Sequence, residues 1–161
     1  EIPENIIEKV VDSLHSILDA WQIMYYVGSK SSKREKIEDF TPIELNIIKL
    51  IDLNNNCMPL ADIRQILDMP NSSLSSIIAR LEKNAVLVKS LNSNDGRMFD
   101  LSLTELGRKI NQDHYELDMA VGKNFVSRVS KEDAETFVRV ALAATQKSLV
   151  PDDSSMRKKK Y

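Results

Sequence analysis

Between Asn71 and Arg97 the chain gathers hydroxyl, amide and cationic side chains: Asn71, Ser72, Ser73, Ser75, Ser76, Arg80 and Lys83 at helical spacing, then Asp95 and Arg97 in a turn. These groups donate hydrogen bonds and place positive charge, which is the chemistry of holding phosphates and reading base edges. Leu74, Ile77, Ile78 and Leu81 keep to one helical face, so the polar set shares the other. Serine is an indifferent helix former. Four serines near a helix start therefore point to hydrogen bonding outside the helix, capping accounting for one or two of them. Arg97, with Asp95 orienting it, fits insertion into a minor groove, which attracts arginine; the alternative is an exposed salt bridge that stabilises a turn. Ser75, Ser76 and Arg80 fit contacts to bases or phosphates, against a solvated helix face, and Arg80 has a third reading as a scaffold ion-pair partner.

The elements around this set decide how it is presented. A short helix with an inner face of Leu60, Ile63 and Leu67 ends at Asp68-Met69-Pro70, and Asn71 is the natural N-cap of the serine-rich helix that follows. Val86-Leu87-Val88-Lys89 reads as a strand, and Phe99, Leu101 and Leu103 alternate with Asp100 and Ser102 at period two. Asn92 to Gly96 between them is a turn in which Gly96 is free to take a positive φ. Helix, turn, second helix and hairpin in that order form a winged helix-turn-helix, whose second helix enters the major groove while the hairpin reaches the flanking backbone or minor groove. Upstream, Thr41, Pro42 and Glu44 mark a helix start with a capping box, and Phe40 is placed to staple onto Leu45. That helix gives out at Asn54-Asn55-Asn56. Thr104 caps a long helix carrying Leu106, Ile110, Leu117, Val121 and Phe125, and Ser130 with Asp133 opens a last one that Pro151 stops.

The first segment, Pro3 to about Val27, sustains an apolar stripe through Ile7, Val10, Leu14, Leu18, Trp21 and Tyr25. At about 1.5 Å per residue it is longer than a small three-helix core can cover, so the stripe needs another long helix. Gly28 to Asp39, with Lys30, Lys33, Arg34 and Lys36, reads as a mobile, solvated connector rather than a buried element. The resulting partition is 1–40 for an N-terminal dimerisation helix and connector and 41–104 for the winged helix-turn-helix. Residues 105–150 follow as C-terminal dimerisation helices, and 151–161 as a disordered tail containing Arg157-Lys158-Lys159-Lys160. The fold class is mainly α (α+β), with one β-hairpin wing.

Composition bounds the function. A formal net charge of -2 over 161 residues argues against a strongly basic nucleic-acid coater, so binding must use a local patch. From Asn71 to Arg97, Arg80, Lys83, Lys89 and Arg97 stand against Glu82 and Asp95. A single cysteine excludes an intramolecular disulfide framework and fits a reducing cytoplasm. No apolar run approaches the roughly 20 residues of a membrane span. An enzyme is disfavoured too: the chain has no phosphate-binding glycine loop, no nucleophile elbow and only two histidines.

Leu74-Ser75-Ser76-Ile77-Ile78-Ala79-Arg80-Leu81-Glu82-Lys83, then Asp95-Gly96-Arg97, then Leu101-Ser102-Leu103-Thr104-Glu105-Leu106-Gly107 resembles the MarR-type transcriptional regulators. The order of elements matches from about Pro3 to Val150. The resemblance implies a homodimer built from the first and last two helices, a winged helix in each subunit, and a ligand pocket where the two regions meet. Where the family usually has glycine after the recognition helix this chain has Ala85, preceded by Asn84, and Asn84 is expected to take the left-handed conformation instead. The implied function is a DNA-binding repressor reading a pseudo-palindromic double-stranded operator, released by a small aromatic or lipophilic effector. The alternative is a winged-helix protein-interaction module without sequence-specific DNA binding.

Trp21, Tyr25, Phe40 and Tyr115 are candidates for lining an effector pocket, since aromatics with polar tips suit phenolic ligands; core packing is the competing role for each. Cys57 has no neighbouring cation in sequence to lower its pKa. His15 and His114 lack the further ligands a zinc site requires. No cofactor or metal is implied.

Overall fold

The computed structural model describes residues 2–30, 37–92 and 95–145. Among the described residues six helices and three short strands follow in the order α1 (Glu4–Lys30), a 3-10 turn (Ile37–Asp39), α2 (Pro42–Leu53), β1 (Met58–Pro59), α3 (Leu60–Leu67), α4 (Asn71–Lys83), β2 (Leu87–Leu91), β3 (Phe99–Leu103), α5 (Glu105–Val126) and α6 (Lys131–Thr145). The core is where apolar faces of α2 to α5 and the sheet converge: Ile47, Ile48, Ile51, Ile63, Leu81, Val86 and Leu101 are inaccessible to solvent. Their burial drives the winged unit together, because apolar area removed from water is the dominant favourable term in folding.

The helix starts follow the expected capping chemistry in part. At α2 the Thr41 backbone N–H and hydroxyl both donate to Glu44 Oε2, each at 2.8 Å. At α5 Thr104 Oγ1 accepts from Gly107 N at 3.1 Å, and at α6 Ser130 Oγ accepts from Asp133 N at 3.1 Å. At α4 the expectation is corrected. Pro70 holds the N-cap position, and Asn71 is already helical, its side chain accepting instead from Arg64 Nη1 at 2.9 Å. Proline's fixed φ and missing N–H leave it suited to this boundary.

The hairpin predicted from period-two alternation is present, but a third strand joins it. Met58 and Pro59 pair with Leu101 and Asp100, giving an antiparallel sheet of order β1-β3-β2. A two-residue strand has no periodicity to betray it. Asn55 and Asn56 turn the chain into β1 with φ of 57° and 58°, the left-handed region asparagine tolerates. Asn56 then behaves as a piece of strand. Its side chain donates to Leu103 O at 3.2 Å and accepts from Leu103 N at 2.8 Å, tying the end of α2 to the root of the hairpin.

Three further expectations are corrected. Ala85, not Asn84, takes the left-handed conformation after α4, at φ 56°, while Asn84 stays at φ -84° as the C-cap. Gly96 does not use a positive φ. The segment from Gly28 to Asp39 is not all connector: α1 runs on to Lys30, and Ile37 is 1% exposed in the core. Gly28 is itself a packing residue, since a Cβ there would lie 2.6 Å from Leu117 Cδ1. Lys33, Arg34 and Lys36, with Pro151 and the 151–161 tail, lie outside the described residues.

Along α1, Ile7, Val10, Leu14 and Leu18 are each about half exposed, as are Phe137, Val138 and Leu142 on α6. Within one chain α1 packs on α5 and the 3-10 turn through its C-terminal part, with Met24 and Tyr25 against the core. The N-terminal stripe is left uncovered.

Candidate nucleic-acid interface

The exposed face of α4 presents Asn71, Ser72, Ser73, Ser75 and Ser76 to solvent, with Arg80 and Lys83 further along. Leu74, Ile78 and Leu81 anchor the opposite face in the core. The first turn of α4 has no acidic residue and no side-chain cap, so the partial positive charge of its N-terminus is not offset locally. Ser76 Oγ donates to Ser72 O at 2.9 Å within the helix, which commits its proton and leaves its oxygen as an acceptor.

Arg80 is the residue whose placement differs most from a simple reading surface. Its guanidinium forms two hydrogen bonds to Glu44, through Nε to Oε1 and Nη2 to Oε2. Glu44 is 1% exposed, whereas about half of the Arg80 side chain remains accessible. Burial pushes the Glu44 carboxyl up, but the bonds from Arg80 and Thr41 outweigh it and hold the group below the usual carboxylate range. The Glu44 bond in turn raises the Arg80 pKa. The pair ties α4 to α2, the scaffold role that the sequence leaves open for Arg80.

The hairpin tip is built from its own side chains. Asn92 Oδ1 accepts from Asp95 N at 3.0 Å, and Asn92 Nδ2 donates to both Asp100 oxygens at 3.0 and 2.9 Å. Asp95 Oδ1 accepts from the Arg97 backbone N–H at 3.0 Å. Asp95 thus orients Arg97 through its main chain. The exposed Arg97 side chain makes no ion pair with another described residue. Behind the tip, Lys89 Nζ sits 3.9 Å from the centroid of the Phe99 ring.

A cleft of about 190 Å³ joins the two halves of this surface. It is lined by Asn71, Leu74 and Ser75 of α4, Arg64 of α3, and Arg97 and Phe99 of the hairpin. Sequence reasoning missed Arg64. The signal available was its position one turn before the Asp68-Met69-Pro70 break, where a long cation can reach the start of the next helix.

The aromatics proposed for an effector pocket are not gathered into one. Tyr115 lines a cavity of about 340 Å³ between α2 and α5, with Lys49, Asp52, Asn111, His114 and Asp118. Trp21 is 37% exposed on α1, and Phe40 packs on the core. Tyr25 stands edge-on to His114 with ring centroids 5.9 Å apart, and burial, reinforced by Asp118 and Glu38, pushes its pKa up to about 12. Cys57 is free and exposed. Among the described residues no helix is long and apolar enough to cross a membrane.

Residues 40–107 match the winged helix DNA-binding domain family. The fold of the described residues is similar to that of solved structures that include MarR. FabT of Streptococcus pneumoniae, solved in complex with DNA, superposes with a TM-score of 0.74 at 18% identity, covering 87% of this chain and 95% of its own. A mutant MarR from E. coli complexed with operator DNA gives 0.67 at 15% identity, covering 90% and 99%. The organohalide-sensing regulator RdhR-CbdbA1625 in its 2,4-dichlorophenol-bound form gives 0.65 at 15% identity, covering 92% and 82%. Among curated proteins no sequence matches this chain.

Proposed function

We propose that the protein is a homodimeric, sequence-specific DNA-binding transcriptional regulator, a cytoplasmic repressor that reads a pseudo-palindromic operator. The observation that carries this reading is the shared cleft. Asn71 and Ser75 of α4 and Arg97 of the hairpin border one concavity, so a helix seated in the major groove and a wing in the adjacent minor groove engage the same duplex. Ser72, Ser73 and Ser75 supply hydrogen bonds to bases or phosphates, Ser76 supplies an acceptor oxygen for a base amino group, and Lys83 and Arg97 supply charge, with Asp95 setting the Arg97 backbone. Homodimerisation is supported by the uncovered stripe of α1 and the half-exposed Phe137 and Val138 of α6, which a second copy would bury. The dichlorophenol bound by RdhR-CbdbA1625 supports an aromatic effector here, entering beside Tyr115.

The test is salt-titrated binding to duplexes selected by the protein from a randomised pool, with sedimentation of the free protein. A dimer at micromolar concentration and a steep fall of affinity with salt are expected, with two half-sites about 10 base pairs apart in the selected sequences. Failure to select any sequence, with folded protein, would favour the protein-interaction alternative.

A further inference from the structure

The cleft between α3, α4 and the hairpin is lined by Arg64, Asn71, Ser75 and Arg97 as well as by apolar side chains, so it lies between the helix and the wing that the DNA-binding reading uses. We propose that it seats the sugar–phosphate strand that separates the major groove from the neighbouring minor groove, and that Arg64, which lines it, is a phosphate-binding residue. The inference rests on the DNA-binding reading above.

Its logic is geometric. If α4 lies in one groove and Arg97 in the next, the strand dividing those grooves must cross the space between them. That space is the cleft of about 190 Å³, several times the roughly 30 Å³ share of one water molecule and roomy enough for a phosphodiester group. Its charged lining residues are Arg64 and Arg97, both cationic. Leu60, Leu74 and Phe99 are among the apolar lining residues and offer contact to sugar carbons. Arg64 is exposed and spends one N–H on Asn71 Oδ1 at 2.9 Å. A guanidinium carries five such donors in a planar fork matched to phosphate oxygens. The Asn71 bond therefore pre-orders the side chain toward the start of α4 while leaving donors for a phosphate.

A phosphate contact carries no sequence information, so its loss should weaken all duplexes alike. Arg64→Gln should reduce affinity about tenfold for both a selected 30-base-pair duplex and an unselected one, and lower the slope of log K against log salt by about one per subunit. Arg64→Lys, which keeps the charge, should retain most of that slope. Neutral methylphosphonate linkages placed singly along the selected duplex identify the phosphate: one position per half-site should weaken the parent and have no further effect on Arg64→Gln. Parent-like affinity and slope in Arg64→Gln, or a loss confined to the selected duplex, would overturn the proposal while leaving the regulator reading in place. No binding by the parent to any duplex would overturn both. Thermal midpoints of Arg64→Gln and Arg64→Lys serve as the folding control, and because the side chain is exposed both should stay close to the parent.

Discussion

Glu44, at the start of α2, and Arg80, on the last turns of α4, close a bidentate ion pair across 36 residues of sequence. The carboxylate is fully enclosed and also receives the Thr41 N–H and hydroxyl at 2.8 Å each. One group thus caps α2 and ties it to α4. A buried charge held by four hydrogen bonds is strongly orienting, and removing a partner leaves a desolvated group short of a bond.

Glu44→Gln should therefore lower stability by about 2 kcal/mol at pH 7, the scale of hydrogen bonds to charged groups. The folded-state pKa of Glu44 lies below its unfolded value of about 4.3. Its stabilisation is then fully present above that value and is lost as pH falls through the folded pKa. Parent and variant denaturation curves should converge as pH falls below about 4.3; a constant gap would show that the ionised state contributes nothing.

Ala85 carries a left-handed φ of 56°, and the turn it makes is held by Thr104, whose Oγ1 donates to Ala85 O at 2.6 Å. A Cβ in this conformation costs about 1 kcal/mol or more, so Ala85→Gly should stabilise the protein by about that amount in urea unfolding. An unchanged or lower midpoint would mean that the strain is absent.

Two glycines should behave oppositely. A Cβ on Gly107 would fall 2.1 Å from Val86 O, where α5 begins against the root of β2. The obstacle is backbone, so Gly107→Ala should cost at least the 1–3 kcal/mol typical of overpacking. At Gly96 a Cβ meets nothing within 4 Å and φ is not positive, so Gly96→Ala should change stability by less than about 0.5 kcal/mol. Comparable thermal midpoints for the two variants would contradict this packing.

Much of the fold was legible in the sequence because its signals are local. Thr41 with Glu44, Thr104 and Ser130 with Asp133 announce helix starts, and the alternation at Phe99, Leu101 and Leu103 announces a strand. What escaped depends on distant atoms. Glu44 satisfies a capping box in sequence, and nothing local says that it also reaches Arg80. β1 is too short for a period, and Arg64 gains meaning only once α4 and the hairpin lie beside it. The left-handed residue was misplaced by one position because asparagine is the better αL former on propensity alone, whereas the hydrogen bonds from Ala85 N to Glu82 O and Val86 N to Leu81 O place the reversal at Ala85.

His114 links three helices: its ring meets Tyr25 of α1 edge-on, its Nε2 lies 3.7 Å from Asp118 Oδ2 on α5, and Lys49 of α2 borders the same cavity. Burial lowers its pKa, Asp118 opposes that and Lys49 adds to it, for a net shift downward. A cationic group with a depressed folded pKa stabilises above its unfolded value of about 6.5, and that contribution is lost as pH falls, because the unfolded chain takes up the proton first. The parent should therefore lose thermal stability between pH 7.5 and 5 more steeply than His114→Asn, which cannot titrate. Since Tyr115 shares the cavity, an anionic aromatic ligand bound there should lessen the parent's loss by pairing with the imidazolium. Identical pH slopes in parent and variant would show that His114 is equally solvated in the folded and unfolded chains, and would remove it from any account of the junction.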